Sequence, residues 1–187
     1  MIRTTVPRLF FIISFFILFL NTSFAQANWK PARDGDKVIF IRHAIAPGGG
    51  DPPGFKINDC NTQRNLSQAG IDQSKKIGML FSKNQIKIDQ VLTSQWCRCK
   101  DTAKYAFTRF KEFSALNSTF QSSFIKNEKK QIRELRSFVK NWRGKGKNLI
   151  LITHYSIITA ITDSLPGSGE IIITDKNFNV LSTISTD

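Results

Sequence analysis

The segment from Lys37 to Ala44, KVIFIRHA, carries the clearest indication of the fold class. Its first five residues are almost entirely apolar and include β-branched side chains. Turn-forming residues bound the segment on both sides, with DGD at residues 34–36 and PGGG at residues 47–50. A short, continuous apolar run with such boundaries is typical of a strand that is buried on both faces of a parallel sheet.

The rest of the chain alternates between strand and helix patterns. Further strands are predicted at Ile88–Ser94 and Asn148–Thr153, and a hairpin of two strands at Glu170–Thr174 and Asn179–Ile184. Helices are predicted from the N-cap Ser67 to about Phe81 and over Arg98–Phe110, Gln131–Trp142 and Ser156–Leu165. Residues 28–36 are predicted to be a polar lead-in segment, whereas residues 111–127 fit neither pattern. Strands that alternate with helices indicate a layered α/β sandwich.

Length and composition limit the class of protein. The chain has 187 residues, of which 41% are hydrophobic and 22% are charged, and these values are typical of one globular domain. They exclude a wholly disordered chain and a collagen-like fibre. Three cysteines are too few for a disulfide scaffold or for a zinc site with four thiolates.

The N-terminus carries the pattern of a secretory signal peptide. Arg3 and Arg8 precede an apolar run from Leu9 to Leu20, and a polar stretch with a small-x-small end at Ala27 follows it. We therefore expect residues 1–27 to be a signal peptide and residues 28–187 to be the exported domain, in the periplasm. The alternative is an uncleaved anchor in the inner membrane, although the run is shorter than the roughly 20 residues that span a bilayer.

The charge is strongly positive, at +13. A basic exported protein is expected to meet phosphorylated small molecules, phosphorylated envelope components or, weakly, an anionic membrane surface. No nucleic-acid partner is expected, because the lysines are scattered and no nucleic-acid-binding motif accompanies them.

The two histidines of the chain each follow a predicted strand directly. His43 comes after the first strand and His154 after the third, while the second strand is followed by Ser94 and Arg98. In open α/β sheets, ligands bind at the carboxyl ends of the strands. Neutral imidazole can accept a phosphoryl group, and arginine matches phosphate oxygens. This pattern therefore favours phosphoryl transfer.

Four sequence blocks resemble the histidine phosphatases, the phosphoglycerate mutase-like superfamily. They are IRHA at residues 41–44, LSQAG at residues 66–70, SQWCRCKDTA at residues 94–103 and a hydrophobic strand that leads into His154. Together they extend over roughly residues 37 to 174. The resemblance implies a three-layer α/β/α sandwich with a mostly parallel mixed sheet.

The resemblance also implies roles for individual residues. His43 would be the nucleophile that accepts the phosphoryl group, and Arg42, Arg98 and His154 would bind its oxygens. The intermediate would be a phosphohistidine that water hydrolyses in a second step. No cofactor and no metal are implied.

A closer likeness is to small exported bacterial members with the blocks CNTQRNLS, at residues 60–67, and QWCRC, at residues 95–99. Arg64 and Asn65 lie in the first of these blocks, Ser94 begins the family block SQWCRCKDTA, and all three are candidate substrate-binding residues. Arg64 and Asn65 would reach the rim of the pocket, or would instead fix the loop before the helix.

The chain departs from the family at the general acid. Many members carry a carboxylate between the second arginine block and the second histidine, but residues 115–119 here, ALNST, contain none. The alternative acids are each expected at the surface or in a turn, and they are Asp51, Asp59, Glu112, Glu128 and Glu170. Without a strong general acid, alkyl phosphates should be hydrolysed slowly, whereas the hydrolysis rates of aryl phosphates, pyrophosphates and phosphoramidates should be reduced less.

The sequence thus predicts a metal-independent periplasmic phosphatase that acts on a phosphate ester, a pyrophosphate or a phosphoramidate. Two other interpretations stay open. One is a catalytically silent phosphate-binding module of the same fold, and the other is a basic envelope-binding protein whose pocket is incidental.

The three cysteines lie in the blocks of the closer likeness. Export makes a disulfide plausible, and we expect Cys60 to pair with Cys97 or with Cys99. Such a bridge would hold the loop after the first strand against Arg98. The alternative is a copper or zinc site made of three thiols and a histidine, for which a Cys-x-Cys spacing is weak evidence.

Overall fold

The computed structural model describes residues 28–187, and in this part of the chain one mixed sheet of six strands forms the centre. In chain order the strands are β1 (Val38–Arg42), β2 (Ile88–Thr93), β3 (Lys111–Glu112), β4 (Asn148–Thr153), β5 (Ile171–Thr174) and β6 (Val180–Ile184). The spatial order is β3-β2-β4-β1-β5-β6. The neighbours from β3 to β1 pair in parallel, and the β5–β6 hairpin adds to β1 in antiparallel register.

Helices cover both faces of this sheet. They are α1 (Lys30–Asp34), α2 (Gln68–Lys83), α3 (Cys97–Phe107), α4 (Ser122–Ile125), α5 (Glu128–Asn141) and α6 (Tyr155–Thr162). The alternation of β1 sends Ile39 and Ile41 into one core, with residues of α1, α2 and α3. Val38 and Phe40 enter the other core, with residues of α5 and α6. The predicted three-layer α/β/α sandwich is confirmed.

Helix α2 begins as predicted and lies very close to the segment after β1. Ser67 caps it by accepting a hydrogen bond from the backbone N–H of Gly70 at 3.2 Å. A side chain at position 70 would place its Cβ 2.1 Å from the carbonyl oxygen of Ile45. Only glycine therefore lets α2 pack directly against the chain that carries His43.

The structure corrects the prediction at the beginning of the domain. Residues 28–36 are not only a polar lead-in, because Lys30–Asp34 forms α1. Pro31 stands in the first turn, where its missing N–H costs no helical hydrogen bond. Trp29 is buried and packs edge-on against Phe81 with ring centroids 5.2 Å apart. This tertiary contact outweighs the polar composition of the segment.

The segment that fitted neither pattern, residues 111–127, is irregular. It holds the two-residue strand β3, a turn of 3-10 helix at Ser114–Leu116 and the short helix α4. The other boundaries lie within a few residues of those predicted, as when α5 begins at Glu128 and ends at Asn141.

The predicted signal peptide, residues 1–27, lies outside the described residues. Within residues 28–187, no helix combines the length and apolar character needed to cross a membrane.

Candidate active site

The carboxyl ends of three neighbouring strands bring the predicted site residues together. His43 follows β1, His154 follows β4, and Arg98 lies in the first turn of α3, after β2. Because β2, β4 and β1 are adjacent and parallel, their ends meet at one edge of the sheet. The two imidazole rings lie with their centroids 5.4 Å apart. The predicted convergence is therefore present.

His43 is held in the form that suits a nucleophile. Its Nδ1 lies 2.8 Å from the carbonyl oxygen of Ala44. Since a carbonyl can only accept, Nδ1 carries the proton and Nε2 keeps its lone pair. Burial, and then the charge of Arg98, lower the pKa of His43 to about 3. The ring is thus neutral at physiological pH, and only a neutral imidazole can attack phosphorus.

His154 is oriented by a chain of polar contacts. Its Nε2 lies 2.8 Å from Oγ of Ser94, and that hydroxyl lies 3.2 Å from Oδ1 of Asn117. Its Nδ1 lies 3.5 Å from Nη2 of Arg98. Burial, and then the positive charge of Arg98, hold the pKa of His154 well below its usual value. Because Ser94 donates its one hydroxyl proton to Oδ1 of Asn117, its Oγ accepts from Nε2 of His154, and the lone pair of Nδ1 faces Arg98.

Two of the arginines offer buried donors that no group in residues 28–187 satisfies. These donors are Nε of Arg42 and Nε of Arg98. Nη1 of Arg42 donates to the carbonyl oxygen of Pro166 at 2.9 Å, which fixes the direction of its guanidinium. Buried N–H groups are normally paired, and both arginines also line the cavity between the histidines, which points to a place for an acceptor ligand beside their guanidinium groups. A phosphoryl group supplies such acceptors.

Asp51 forms a buried ion pair with Arg98. Arg98 donates from Nη1 to Oδ1 of Asp51 at 2.7 Å and from Nη2 to Oδ2 at 3.2 Å, and both side chains are nearly inaccessible. Nε1 of Trp96 donates to Oδ2 of the same carboxylate at 2.9 Å. Burial acts to raise the pKa of Asp51, but the hydrogen bond from Arg98 and its charge leave that pKa below the usual value. The expectation that Asp51 is a surface or turn residue is wrong, because its partners come from distant parts of the chain.

Arg64 lies on the loop that faces this ion pair. Its Nε donates to the carbonyl oxygen of Gly50 at 2.8 Å, its Nη1 donates to that of Ala46, and its backbone N–H donates to Asp51 at 3.2 Å. Its side chain also lines the cavity between the histidines. Arg64 therefore both fixes the loop and reaches the pocket, the two roles between which the sequence did not choose.

The other two candidate substrate-binding residues do not line the cavity. Asn65 is exposed, and its Nδ2 donates to the carbonyl oxygen of Cys60 at 2.7 Å, which holds the loop. Ser94 is fully buried and contacts His154 instead. The structure thus places Asn65 in a stabilising contact of the loop, and Ser94 beneath the second histidine.

A disulfide joins Cys60 to Cys97, with Cα atoms 5.7 Å apart. It ties the loop that carries Arg64 to the first residue of α3, next to Arg98. Within residues 28–187, Cys99 is the free cysteine, and burial raises the pKa of its thiol to about 12. The expected bridge is confirmed, with Cys97 as the partner. The alternative of a metal site built from three thiols is wrong, because two of the sulfurs are bonded to each other.

The remaining acids named from the sequence make contacts elsewhere. Asp59 caps a turn by accepting from the backbone of Asn61, and Glu170 accepts from the backbone of Gly167. Glu112 pairs with Lys100, and Glu128 accepts from the hydroxyl of Thr119. None of these four carboxylates lines the cavity, so Asp51 is the carboxylate nearest to the chemistry in the described part of the chain.

The cavity itself has a volume of about 310 Å³. Its lining residues come from all three strand ends, from the glycine-rich loop and from the irregular segment, and they are Arg42, His43, Gly48, Gly49, Gly50, Asp51, Arg64, Arg98, Ser118, Phe120, Gln121, His154, Tyr155 and Ser156. A larger hollow of about 410 Å³ beside β2 is lined by residues such as Phe107 and Phe110 and contains no histidine. The chemistry is therefore concentrated in the smaller cavity.

Sequence reasoning missed several lining residues. Ser118, Phe120 and Gln121 belong to the segment for which no pattern was found, so no signal pointed to them. Tyr155 directly follows His154 in the chain, and its ring lies 5.7 Å from the guanidinium carbon of Arg42. Its position next to a candidate catalytic histidine was the available signal.

Solved structures share this architecture. The protein histidine phosphatase SixA in complex with tungstate is 14% identical to this chain, with a TM-score of 0.53, over 80% of this chain and 97% of that one. A phosphoserine phosphatase mutant from Entamoeba histolytica in complex with phosphoserine is 15% identical, with a TM-score of 0.55, over 81% and 98% of the two chains. This chain has the histidine-phosphatase fold.

A third structure with this fold, a protein from Thermus thermophilus, is 13% identical, with a TM-score of 0.54, and the match covers 81% of this chain and 99% of that one. No protein-family profile matches the sequence, and no curated protein matches it either. At these identities, the likeness establishes a shared histidine-phosphatase fold and leaves the substrate open. The predicted fold class is confirmed.

Proposed function

We propose that this protein is a phosphatase that works through a phosphohistidine at His43. One observation carries the proposal: a neutral histidine with a free Nε2 lines the same cavity as two arginines whose buried Nε donors lack partners within the described residues. The arginine N–H groups can donate hydrogen bonds to phosphate oxygens, and the imidazole nitrogen is the nucleophile. A nucleophile beside oxyanion donors is the arrangement that phosphoryl transfer requires.

In the first step, the phosphoryl oxygens accept hydrogen bonds from Arg42 and Arg98, in the cavity that His154 also lines. Nε2 of His43 attacks phosphorus, a new P–N bond forms, and the bond to the leaving oxygen or nitrogen breaks with its electron pair. The developing charge on the equatorial oxygens is stabilised by the arginines, which are already in place before substrate arrives.

In the second step, water attacks phosphorus from the side of the departed leaving group. The P–N bond breaks, the electron pair returns to Nε2 of His43, and inorganic phosphate leaves. The carbonyl oxygen of Ala44 accepts a hydrogen bond from the protonated Nδ1 of His43 in both steps, so the same tautomer of His43 is restored for the next turnover.

The charge of the cavity suits a dianion. Arg42, Arg64 and Arg98 line it, and Asp51 neutralises one of these three cations. Both histidines are neutral because burial and Arg98 lower their pKa values. A phosphate monoester dianion would therefore meet an excess of two positive charges, and neutral ligands would leave buried cations without partners.

The leaving group limits the choice of substrate. Asp51 is engaged by Arg98 and Trp96, and its lowered pKa makes it a poor proton donor at neutral pH. The preferred substrates are thus those whose leaving groups need no proton from the protein: aryl phosphates, pyrophosphates, acyl phosphates, and phosphoramidates whose leaving nitrogen is protonated in solution. A phosphorylated component of the cell envelope belongs to the same proposal, because the N-terminal sequence predicts export and a disulfide suits an oxidising compartment.

The test is hydrolysis of p-nitrophenyl phosphate in the presence of a chelator, with the wild-type protein beside His43→Ala. Turnover in chelator that disappears in the variant would support a metal-independent histidine mechanism. A matched control is Val139→Ala, a buried substitution in α5 that lies away from the cavity lining. It should retain activity, and so it shows whether any change in the core is enough to abolish turnover.

The second candidate function is a silent phosphate-binding module, which is favoured by the lack of a ready proton donor among the described residues that line the cavity. Under that alternative, the wild-type protein and His43→Ala would both be inert towards p-nitrophenyl phosphate, and both would still bind inorganic phosphate. Isothermal titration of the two proteins with phosphate separates these outcomes from a protein that binds no phosphate at all.

A further inference from the structure

The edge of the sheet opposite the cavity is strongly basic. It is formed where the parallel strands begin, by α1, by the ends of α2 and α5, and by the turns beside them. We call its cations the basic face, and they are Lys30, Arg33, Lys37, Lys83, Lys87, Lys140, Arg143, Lys145, Lys147 and Lys176.

Backbone contacts show that these residues share one edge. The carbonyl oxygen of Lys37 accepts from the N–H of Leu149 at 2.9 Å, and that of Lys87 accepts from Asn148 at 2.8 Å. The carbonyl oxygen of Lys147 accepts from Asp36 at 3.0 Å. The N-terminal ends of β1, β2 and β4 therefore lie side by side, and Lys37, Lys87 and Lys147 lie at this one edge of the sheet.

The end of α5 and the β5–β6 turn extend the same edge. Nζ of Lys176 donates to the carbonyl oxygen of Trp142 at 3.4 Å and lies 4.9 Å from the centre of the indole ring. Nη1 of Arg143 donates to the carbonyl oxygen of Lys140 at 3.0 Å. Lys140, Arg143, Lys145 and Lys147 are all exposed, so their charges face solvent.

The carboxylates at this edge are few and already engaged. Asp34 pairs with Lys30 at 2.8 Å, and Asp36 accepts from the N–H of Gly146 at 3.0 Å. Asp89 accepts from Nε1 of Trp142 at 2.8 Å. Asp175 accepts from the backbone within its own turn. Within residues 28–187, Lys30 is the member of the basic face that has an ion pair, so a large positive excess remains.

The chain enters the domain at this same edge. Trp29 is buried against Phe81, near the end of α2, and Asn28 accepts from the N–H of Lys30 at 3.2 Å. The described part of the chain therefore begins at the basic face and not on the cavity side.

We propose that the basic face binds the headgroups of anionic phospholipids, with the cavity directed away from the bilayer. Many exposed cations spread over several elements suit a flat anionic surface, where each contact is weak and the effects accumulate. Strands of five or six residues separate the two edges by roughly 17–20 Å. The cavity of a bound molecule thus stays open to substrates in the aqueous phase.

The test measures binding to vesicles of phosphatidylcholine with and without phosphatidylglycerol. The two described cores, the six described strands and the disulfide lie within residues 28–187, and this part of the chain, without the predicted signal peptide, is the form to use. The variant carries Lys140→Glu, Arg143→Glu and Lys147→Glu. We expect the wild-type protein to sediment with the anionic vesicles at low salt, and the variant to bind them at least about tenfold more weakly.

The matched control carries the same change of net charge at exposed lysines of other surfaces, Lys75→Glu, Lys104→Glu and Lys129→Glu. It should bind nearly as the wild-type protein does, and circular dichroism shows that each protein is folded. Equal losses in the two triple variants would overturn the proposal, because net charge alone would then explain binding. The proposal is also overturned if the wild-type protein does not sediment with anionic vesicles, or if it binds only a soluble polyanion such as heparin. None of these readouts depends on phosphatase activity.

Discussion

Arg98 is the residue around which the cavity is organised. Its Nη1 and Nη2 donate to Asp51, its Nη2 also lies 3.5 Å from Nδ1 of His154, and its Nε has no partner within residues 28–187. Burial lowers the pKa values of both histidines most, and the charge of Arg98 lowers them further, so His43 stays neutral. Asp51 in turn compensates this buried charge when no ligand is bound, which makes the pair a single functional unit.

Removal of Asp51 should destabilise the protein strongly. Asp51→Ala leaves Arg98 buried with an uncompensated charge, and breaking a buried pair in this way costs about 3–5 kcal/mol. Unfolding in urea would show the loss as a lower free energy of unfolding. Asp34→Ala is the matched control, because Asp34 forms an exposed pair with Lys30, and solvent screening leaves such pairs with little effect on stability. Equal effects of the two substitutions would contradict the role assigned to Asp51.

The lowered pKa of His43 makes stability depend on pH. Between its ordinary pKa of 6.5 and about 3, the unfolded chain binds a proton at residue 43 that the folded chain does not. Stability from this group is therefore present above pH 6.5 and is lost as the pH falls, by up to about 1.4 kcal/mol per pH unit. His43→Asn, which keeps a donor near Ala44, should lose less stability on acidification than the wild-type protein. Urea unfolding in phosphate-free buffers across this range measures the difference, and parallel curves would refute the assignment.

At the scale of elements, the site is built from three strand ends and one tethered loop. The strand ends fix His43, His154 and the start of α3, because the sheet holds them in register. The loop between β1 and α2 has little regular structure, and it brings Asp51 and Arg64 to the cavity. The Cys60–Cys97 disulfide and the hydrogen bond from the N–H of Cys97 to Oε1 of Gln63, at 2.9 Å, attach this loop to α3.

Loss of the disulfide should impair substrate binding more than it slows the chemical step. The double substitution Cys60→Ser with Cys97→Ser removes a cross-link over a sequence separation of 37 residues, and we expect a loss of about 2–4 kcal/mol in the free energy of unfolding. Since Arg64 is on the tethered loop and His43 is not, KM for p-nitrophenyl phosphate should rise by a larger factor than kcat falls. Steady-state kinetics beside Val139→Ala, which also lowers stability but keeps the bridge, test this. A lower kcat with an unchanged KM would show that the loop does not position the binding groups.

Over the whole molecule, positive charge is divided between two opposite edges of the sheet. At the carboxyl edge, three arginines converge on a cavity of about 310 Å³. At the amino edge, the cations of the basic face are spread over an open surface. The first arrangement suits the small dianion of the proposed function, and the second suits the extended anionic surface of the proposed membrane contact.

Inorganic phosphate should stabilise the folded domain through the cavity. A ligand that binds only the folded state, at about 100 times its Kd, adds roughly 2.7 kcal/mol to stability. Phosphate should therefore raise Tm in differential scanning calorimetry, while chloride at the same ionic strength should not. Arg42→Gln should abolish most of this rise, whereas the surface control Lys75→Gln should preserve it. A rise that survives Arg42→Gln would place the anion elsewhere, for example on the basic face.

The parallel strands and amphipathic helices could be predicted closely because each is recorded in a local pattern. The run NLILIT at residues 148–153 is the fully buried β4, and the stripe of α5 includes the buried Leu135 and Val139. Helix α1 was missed because it depends on the contact between Trp29 and Phe81, which is not visible in a polar segment. Likewise, Ser118 and Gln121 reach the cavity from an irregular segment whose path is set by packing.

Local sequence patterns were enough to predict the layered fold, the two histidines at strand ends and the arginines beside them, because alternation and strand boundaries are local properties of the chain. Three outcomes required the folded structure: Cys97 and not Cys99 pairs with Cys60, Asp51 is the buried partner of Arg98, and Asn65 lies outside the cavity lining. Those outcomes depend on where a loop without regular structure crosses the end of the sheet. Its path is fixed by contacts between residues far apart in the chain, and no local pattern records such contacts.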